Sequence, residues 1–414
     1  WISALPPGAS LSIYIHIPFC RQLCWYCGCH TSVPNTYDRA ERYVQTLVRD
    51  IRRTASLISG ARSRVKHLHF GGGTPTYLDD LHIGEILEAV DTGFGLAEGA
   101  EVALESDPRG LTAPRAKALT GMGFNRISFG VQDFATPVQM KINRLQTFGL
   151  VKTATAFLRD AGFASVNFDL MYGLPAQTRE SVAATAQQAA SLGPDRIAVF
   201  GYAHVPWFKK HQMMIADADL PGVSERYDQA TTIERELCAA GYAAIGLDHF
   251  ALPHDSLSVA AENGTLRRNF QGYTTDAADA LLSFGASAIG ELPQGFIQAG
   301  RDTLQWSTAI EHGRNPVSRG LARTPEDRMR AEVIERLMCD FSVDYGAIAV
   351  RHGFNAGTFA GLGGKLAPMI DAGLADIEGT RITVPKAQRL FLRTVASVFD
   401  AHFVVQPNRH AKAV

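Results

Sequence analysis

The sequence predicts an α/β protein in which a partial, TIM-like (β/α)6 barrel is followed by a small α+β domain. Six strand-like segments alternate with amphipathic helix-like segments between residues 11 and 202, and this alternation stops after about residue 290. Strands that alternate with helices form a parallel sheet with right-handed crossovers. A closed TIM barrel needs eight such units, so six units favour an open barrel, with a doubly wound sheet as the alternative.

The strand candidates are short apolar or alternating segments, and the helix candidates have apolar residues at helical spacing. The strands are LSIYIHI (11–17), VKHLHF (65–70), EVALE (101–105), RISFGV (126–131), SVNFDL (165–170) and RIAVFGY (196–202). The helices cover about 38–58, 81–90, 112–121, 147–161 and 178–192, and glycines 121, 162 and 193 stand where three of them end.

One face of the predicted strands is polar in strand after strand, although side chains on the other face are apolar. Because strand side chains alternate with a period of two, these are true faces of the sheet. A closed TIM barrel fills its interior with branched apolar side chains, so a polar inner face predicts an open lumen that holds a polar ligand. The polar positions include Tyr14, His16, His67, His69, Glu101, Glu105, Ser128, Asn167 and Asp169.

Two domains are predicted. The barrel is expected to occupy residues 11–290 and to carry a cysteine loop at residues 20–29, and the α+β domain to occupy residues 291–414. Within the second domain we expect a helix at 326–339, a hairpin at 374–384 and a final amphipathic helix at 386–403. This pattern resembles a winged helix, and we expect the domain to cover part of the lumen.

Composition and charge exclude several function classes. The formal net charge is −1, and hydrophobic and charged residues make up 46% and 20% of the chain. This balance argues against a nucleic-acid-binding protein, and no apolar run approaches a membrane span. Four of the six cysteines are clustered and no secretory signal precedes them, which indicates a reducing, cytoplasmic compartment. Cys238 and Cys339 are expected to be buried core thiols.

The clustered cysteines read CRQLCWYCGC at residues 20–29 and follow the first predicted strand. The segment GGGTP (71–75) follows the second strand, so both lie at the rim where parallel barrels carry their active sites. Cys20, Cys24 and Cys27 can bind three irons of a [4Fe–4S] cluster and leave the fourth iron open. The alternatives are a structural zinc site, which lacks the usual second cysteine pair here, and unreactive thiols. The glycines allow close backbone approach to a ligand, or simply a tight turn.

These motifs resemble radical S-adenosylmethionine (SAM) enzymes, and in particular the family of oxygen-independent coproporphyrinogen III oxidases. The resemblance runs in order from about residue 12 to the C-terminus. It rests on YIHIPFC-RQLC-WYC-GC, HLHFGGGTPTYL, ESDPR, GFNRISFGVQDF, FDLMYGLP, YAHVP, DHFA and RNFQGYTT. The chain departs from the family pattern at Leu145 and at residues 276–280.

The resemblance implies a reaction and its cofactors. Members decarboxylate two propionate side chains of coproporphyrinogen III to vinyl groups, giving protoporphyrinogen IX without oxygen. A 5′-deoxyadenosyl radical, generated from SAM at a [4Fe–4S] cluster, starts each decarboxylation. Two alternatives remain open: a haem-binding or haem-trafficking relative without this activity, and a radical SAM enzyme that modifies a tetrapyrrole in another way.

The resemblance also implies roles for individual residues. Cys20, Cys24 and Cys27 match the cluster ligands. The positions that match contacts to the SAM on the cluster are Tyr14, Gly72, Glu105, Ala203 and Ile289. The family resembles proteins that bind two SAM molecules, and the positions that match contacts to the second are Tyr26, Gly73, Thr74, Gln132, Arg144 and Asp169.

The fourth cysteine of the loop, Cys29, is expected to act in catalysis near the substrate and not as a cluster ligand. The expected partners are a tetrapyrrole and an external electron donor such as flavodoxin or ferredoxin, and we expect a monomer. His30 and His204 are candidates for contacting substrate. Basic residues should meet the substrate carboxylates, although a solvated surface is the commoner role of such residues; the candidates are Arg21, Lys209, Lys210, Arg267 and Arg268.

Overall fold

The computed structural model describes residues 1–58 and 65–404, and its centre is the predicted parallel sheet. The parallel strands are β1 (Leu11–Ile17), β2 (Val65–Gly72), β3 (Leu96–Ser106), β4 (Arg126–Gln132), β5 (Ser165–Tyr172) and β6 (Arg196–Gly201). Each pairs in parallel with the next along the chain. All six strands are therefore confirmed in type and in order, and the doubly wound alternative, which requires the strand order to reverse, is wrong.

Helices cover the outer face of this sheet. They are α1 (Asp38–Ala55), α2 (Asp80–Phe94), α3 (Ala113–Gly121), α4 (Thr136–Lys141), α5 (Phe148–Ala161) and α6 (Arg179–Ser191). All but α4 pack an apolar stripe on the sheet because apolar residues recur every three or four positions, whereas Val138 of α4 lies in a separate cluster with Tyr202 and Ile215. In α1 the buried stripe includes Tyr43, Leu47 and Ile51. It joins strand residues such as Ile13 and Ile15 in the main hydrophobic cluster.

Further strands extend the sheet at both edges. The elements are α7 (Val223–Ala239), β7 (Ala243–Ile245), β8 (His249–Ala251), α8 (Ser256–Glu262), β9 (Arg267–Asn269), β10 (Gly272–Thr274), β11 (Ala280–Phe284), β12 (Ile289–Leu292), β13 (Gly295–Ala299), α9 (Thr303–Glu311) and β14 (Val317–Ala322). The order is β14-β13-β12-β11-β1-β2-β3-β4-β5-β6-β8-β7. Because β14 and β7 form the two ends of this order, the barrel is partial and open.

Strand β11 pairs in parallel with β1 and is a seventh parallel strand that the sequence did not indicate. Its five residues, ALLSF, are too short and too uniformly buried to show alternation. Beyond it, β12, β13 and β14 pair antiparallel, so residues 289–322 belong to the same sheet as the barrel strands.

The C-terminal part has a hydrophobic cluster of its own, which runs from Met329 to Phe399. Its elements are α10 (Pro325–Asp340), β15 (Ser342–Asp344), α11 (Tyr345–Arg351), α12 (Gly363–Asp371), β16 (Asp376–Glu378), β17 (Arg381–Thr383) and α13 (Leu392–Ala396). The predicted helix at 326–339 and hairpin at 374–384 correspond to α10 and to the β16–β17 pair.

Two expectations are wrong. The final helix predicted at 386–403 is a series of short pieces, because Gln388 has non-helical backbone angles and only Leu392–Ala396 is α-helical. Cys238 is exposed on α7, whereas Cys339 is buried as expected. A helical apolar pattern does not by itself tell on which side of the helix a single thiol lies.

Among the described residues, no helix is both long enough and apolar enough to cross a membrane.

Candidate active site

The inner face of the sheet encloses a polar cavity of ≈230 Å³, as the strand alternation predicted. Strand side chains that line it include His67, His69, Glu101, Glu105, Arg126, Ser128, Asn167, Asp169 and Arg196. Its remaining wall comes from His249 and from residues between Asn269 and Asp276, around the β9–β10 hairpin. The C-terminal part supports this wall, since Tyr273 donates its hydroxyl to Met338 O at 2.9 Å.

The cations inside this lumen are already paired with carboxylates. Arg126 Nε lies 2.9 Å from Glu101, and Arg196 Nε donates to Asp255 at 2.6 Å. Burial of Glu101 opposes its charge, but the nearby guanidinium of Arg126 lowers its pKa below the ordinary value. These two arginines of the lumen therefore already have carboxylate partners within the protein.

The cysteine loop follows β1, and its three predicted ligands are free thiols. The hydroxyls of Thr31 and Thr74 lie 3.1 and 3.5 Å from Cys20 Sγ, and Arg144 Nη1 donates to Cys24 Sγ at 3.4 Å. Hydrogen-bond donors and a positive charge thus face sulfurs that carry negative charge when they bind iron. This donor set fits a thiolate-bound iron–sulfur cluster.

A cluster and a single ion make different demands on the ligands. In the described part of the chain, no three His, Cys, Asp or Glu side chains are arranged to hold one metal ion. In a cluster each thiolate binds its own iron, so the sulfurs need not converge on one point. Of these thiols, Cys27 has a pKa below the ordinary value for cysteine. The largest cause is its hydrogen bond with Cys29.

The glycine loop packs directly against the cysteine loop and the lumen. Gly72 has φ +115°, and a Cβ there would lie 2.6 Å from Cε1 of His16. A Cβ on Gly73 would lie 2.6 Å from the backbone oxygen of Phe19. Thr74 N donates to that same Phe19 oxygen at 2.8 Å. The glycines are therefore required for the contact between the two loops, which is more specific than a tight turn.

A network of rings and one carboxylate stands above the lumen. Tyr14 stacks on His69 with ring centroids 6.0 Å apart, and its hydroxyl lies 3.1 Å from His16 Nδ1. Glu105 accepts a hydrogen bond from Gly72 N at 3.1 Å and lies 3.4 Å from His69 Nε2. Burial lowers the pKa of His16 to about 4, so its imidazole is neutral. Of these five residues, three are predicted SAM contacts, and the structure brings them together.

Arg144 links the cysteine loop to the fourth strand. Its guanidinium contacts Asp107 Oδ2 at 3.3 Å and donates to Gly130 O at 2.5 Å, in addition to the Cys24 contact. Burial opposes its charge, but nearby Tyr26 and Asp107 raise its pKa. Gln132 follows on the same strand with φ +67°, a conformation that non-glycine residues rarely adopt and that is common at binding sites.

Asp169 extends from β5 into the lumen, where its side chain is half-buried. Burial, and secondarily the charge of Glu105, raise its pKa to about 7. The two remaining predicted contacts lie on separate strands: Ala203 follows β6 and is exposed, whereas Ile289 begins β12. Six strands stand between β6 and β12 in the sheet order, and neither residue is among those that line the lumen cavity.

A loop after β6 holds the cysteine loop in place, which the sequence did not indicate. Lys209 Nζ donates to Cys29 O at 2.7 Å, and Gln212 Nε2 donates to Tyr26 O at 2.8 Å. His211 Nε2 lies 2.7 Å from Cys27 O. Because these contacts are made to backbone carbonyls about 180 residues away in the chain, no residue pattern reveals them.

The histidines proposed for substrate differ in their surroundings. Both ring nitrogens of His204 are engaged, with Tyr202 Oη at 2.8 Å and Asp217 Oδ1 at 2.9 Å. His30 is partly buried, and its ring centroid lies 5.9 Å from that of His16. Both nitrogens of the His204 ring are therefore used in contacts within the protein. His30, in contrast, borders the rings above the lumen.

The segment that departs from the family pattern, 276–280, anchors the start of β1. Asp276 accepts a hydrogen bond from Ser12 Oγ, and Asp279 accepts one from Ser10 N at 2.8 Å.

Comparison with known proteins agrees with this site. A family model described as the radical SAM superfamily matches residues 14–189, and one described as the HemN C-terminal domain matches residues 324–391. The fold and the cysteine site thus define a radical SAM protein, and membership of this superfamily implies a [4Fe–4S] cluster and SAM.

Curated relatives narrow this class further. An oxygen-independent coproporphyrinogen III oxidase of Bradyrhizobium diazoefficiens is 47% identical over 414 residues, which is 100% of this chain and 92% of the relative. The protein of that name from Escherichia coli K12 is 39% identical over 96% of this chain and 86% of its own length. The solved structure of coproporphyrinogen III oxidase (HemN) from Escherichia coli has a TM-score of 0.93 and covers 97% of this chain and 92% of its own. The chain belongs to the family of oxygen-independent coproporphyrinogen III oxidases.

Proposed function

We propose that this chain catalyses the reaction for which its relatives are named, the oxygen-independent oxidation of coproporphyrinogen III. Two propionate side chains lose CO₂ and become vinyl groups, which gives protoporphyrinogen IX for haem synthesis. The observation that carries this proposal is the set of three free cysteines at the rim of a polar, open barrel, in a chain 47% identical to a named relative.

Cys20, Cys24 and Cys27 are proposed to hold the [4Fe–4S] cluster. When bound, the cluster and SAM supply the organic radical that removes a hydrogen atom from the propionate. The chain's own residues orient these groups. The hydroxyls of Thr31 and Thr74 and the guanidinium of Arg144 donate toward two of the three sulfurs.

The SAM on the cluster is proposed to contact Tyr14, Gly72, Glu105, Ala203 and Ile289. Glu105 offers a carboxylate to the SAM ammonium, and the glycine allows the backbone to approach. Ala203 and Ile289 offer apolar contacts to the adenine. The pairing of Glu105 with Gly72 N and His69 supports this assignment, because it orients the carboxylate before the ligand arrives.

A second SAM is proposed at Tyr26, Gly73, Thr74, Gln132, Arg144 and Asp169. Arg144 presents its guanidinium beside the cysteine loop, and Asp169 can accept from ribose hydroxyls or an ammonium group. The positive φ of Gln132 supports a ligand role, since backbone strain of this kind is stored at binding sites. Binding stoichiometry of radiolabelled SAM tests this: two per cluster supports the second site, and one per cluster contradicts it.

Cys29 is proposed to handle a proton or an electron near the substrate and not to bind iron. Its thiol hydrogen-bonds Cys27 and its carbonyl is held by Lys209. Cys29→Ser should therefore retain full iron content and lose turnover. If iron is lost with Cys29→Ser but retained with Cys238→Ser, Cys29 is a ligand and this assignment is wrong.

The reaction needs an external one-electron donor, and a flavodoxin or a ferredoxin is proposed. We also propose that the chain acts as a monomer in the cytoplasm, which suits an oxygen-sensitive cluster and reduced thiols.

One experiment tests the proposed function. The anaerobically purified enzyme is incubated with coproporphyrinogen III, SAM and a low-potential reductant, and the porphyrins are identified after oxidation. Protoporphyrinogen IX, preceded by a monovinyl intermediate, is the expected result. Tight haem binding without any decarboxylation would instead identify a haem-binding or haem-trafficking protein.

A further inference from the structure

Two basic side chains at the mouth of the lumen, Lys209 and Arg301, have no carboxylate partner within 4.0 Å among residues 1–58 and 65–404. They come from chain segments almost a hundred residues apart, yet both flank the ring of Phe208. Lys209 Nζ lies 5.4 Å from its centroid and Arg301 Cζ lies 4.9 Å from it. The ring faces stabilise two like charges that would otherwise repel each other.

The acidic side chain next to Arg301 in sequence is engaged elsewhere. Asp302 follows Arg301 directly, but its carboxylate accepts from Gln305 N at 2.7 Å and caps helix α9. His30 also borders the pair, and burial together with the positive charges of Lys209 and Arg301 lowers its pKa. The structure thus concentrates positive charge at one point. Among the described residues no carboxylate pairs with it, and the negative groups that act on Lys209 are the thiols of Cys27 and Cys29.

This point lies beside the proposed reaction centre. Lys209 Nζ donates to the carbonyl of Cys29, and the neighbouring His30 ring lies 5.9 Å from His16. His16 in turn contacts Tyr14 on the inner face of β1. A ligand held by Lys209 and Arg301 therefore sits at the mouth of the lumen, next to the cysteine loop.

Among the described residues that line the lumen, the arginines are already paired with carboxylates. Arg126 and Arg196 are bonded to Glu101 and Asp255, and Arg144 to Asp107. A substrate with four carboxylates would also meet the carboxylates of Glu105 and Asp169, which line the same cavity. The cations at the mouth offer its negative charge a better partner.

We propose that Lys209 and Arg301, which both lie over the ring of Phe208, bind a propionate carboxylate of the tetrapyrrole and position the ring over the cysteine loop. This inference rests on the proposed substrate. Lys209 and Arg301 are positioning residues in this role and do not enter the bond-breaking steps.

The test measures binding and turnover separately. Coproporphyrin III serves as a fluorescent ligand that is not turned over, and it is titrated into the anaerobic, SAM-loaded enzyme. Lys209→Ala and Arg301→Ala should each weaken its binding about fivefold, and the double variant about twenty-fivefold, as expected for partly exposed charge pairs. Lys209→Arg should restore most of the affinity, and Lys152→Ala, which removes an exposed lysine on the outer helix α5, should bind as wild type does.

The tetramethyl ester of coproporphyrin III separates charge recognition from a structural role. All variants should bind the uncharged ester as wild type does. If the double variant weakens acid and ester equally, or weakens neither, the proposal is wrong. It is equally wrong if the double variant keeps wild-type KM for coproporphyrinogen III with dithionite and loses activity only with a protein electron donor.

Two further controls keep the result interpretable. In the described part of the chain, the Arg301 side chain has no hydrogen bond to the cysteine loop, and it is the backbone of Arg301 that contacts His30. Arg301→Ala therefore decides the question even if Lys209→Ala loses iron through its bond to Cys29. Absence of turnover in wild type would refute the proposed function, whereas active wild type with unchanged variants would refute only this inference.

Discussion

Gln212 offers the sharpest single test of how the cysteine loop is held. Its side chain is fully buried, and its amide connects three backbone groups. Nε2 donates to Tyr26 O at 2.8 Å and to Ala203 O at 3.3 Å, while Oε1 accepts from Val205 N at 2.6 Å. Gln212→Leu keeps the volume and removes every one of these bonds. The carbonyl of Tyr26 and the N–H of Val205 would then be buried without a partner.

The size of the effect follows from these contacts. A hydrogen bond contributes about 1 kcal/mol net, and a buried group left unpaired costs about 1–3 kcal/mol. A local destabilisation of about 3 kcal/mol raises the population of the opened loop about a hundredfold. The effect should be local, because Tyr202 and Ile215 at the two ends of this loop pack in a small cluster separate from the main one.

Hydrogen exchange measures this opening directly. Peptides that cover residues 20–30 and 204–215 should both exchange much faster in Gln212→Leu, and iron should be released faster on exposure to a chelator. Gln187→Leu, which removes an exposed glutamine bonded to Glu236, should change neither. If residues 204–215 exchange faster while residues 20–30 and iron release stay as in wild type, the two loops are not coupled and the reasoning is refuted.

Three other predictions concern buried charge and close packing. Asp50→Asn should stabilise the protein by up to about 4 kcal/mol at pH 8 and by less at pH 5, measured by thermal unfolding. Burial raises the pKa of Asp50 to about 7 in the folded state. The free-energy cost of burying the charged carboxylate is therefore fully present only above that pH. Gly72→Ala should destabilise by about 2–4 kcal/mol because of its positive φ and the His16 ring, whereas Gly84→Ala, in an uncrowded helix, should stabilise by about 0.5–1 kcal/mol. SAM affinity should rise between about pH 6 and 8 as Asp169 ionises, and equilibrium dialysis should show this rise lost in Asp169→Asn.

Much of the barrel could be predicted because its strands follow simple rules. In β5, Val166, Phe168 and Leu170 are buried against helices while Asn167 and Asp169 line the lumen, as alternation requires. Motifs that end such strands lie at one rim, which is why the cysteine loop, the glycine loop and Glu105 could be grouped from the sequence. Tyr14, inside its strand, was added only by the resemblance to the family.

Contacts that depend on distant backbone groups could not be predicted. Gln212, His211 and Lys209 bind carbonyls of the cysteine loop, and any polar side chain could have filled that role. Strand β11 was missed for a related reason, since its five residues are buried without alternation. The break at Gln388 depends on local backbone angles that an apolar pattern does not encode.

The most direct test of the central claim follows a hydrogen atom. Coproporphyrinogen III labelled with deuterium at the propionate β carbons is converted anaerobically with SAM and a low-potential reductant, and the 5′-deoxyadenosine formed is analysed by mass spectrometry. We predict one 5′-deoxyadenosine for each vinyl group, each carrying one deuterium from the substrate. Formation of vinyl groups with unlabelled 5′-deoxyadenosine, or with none, would contradict the account.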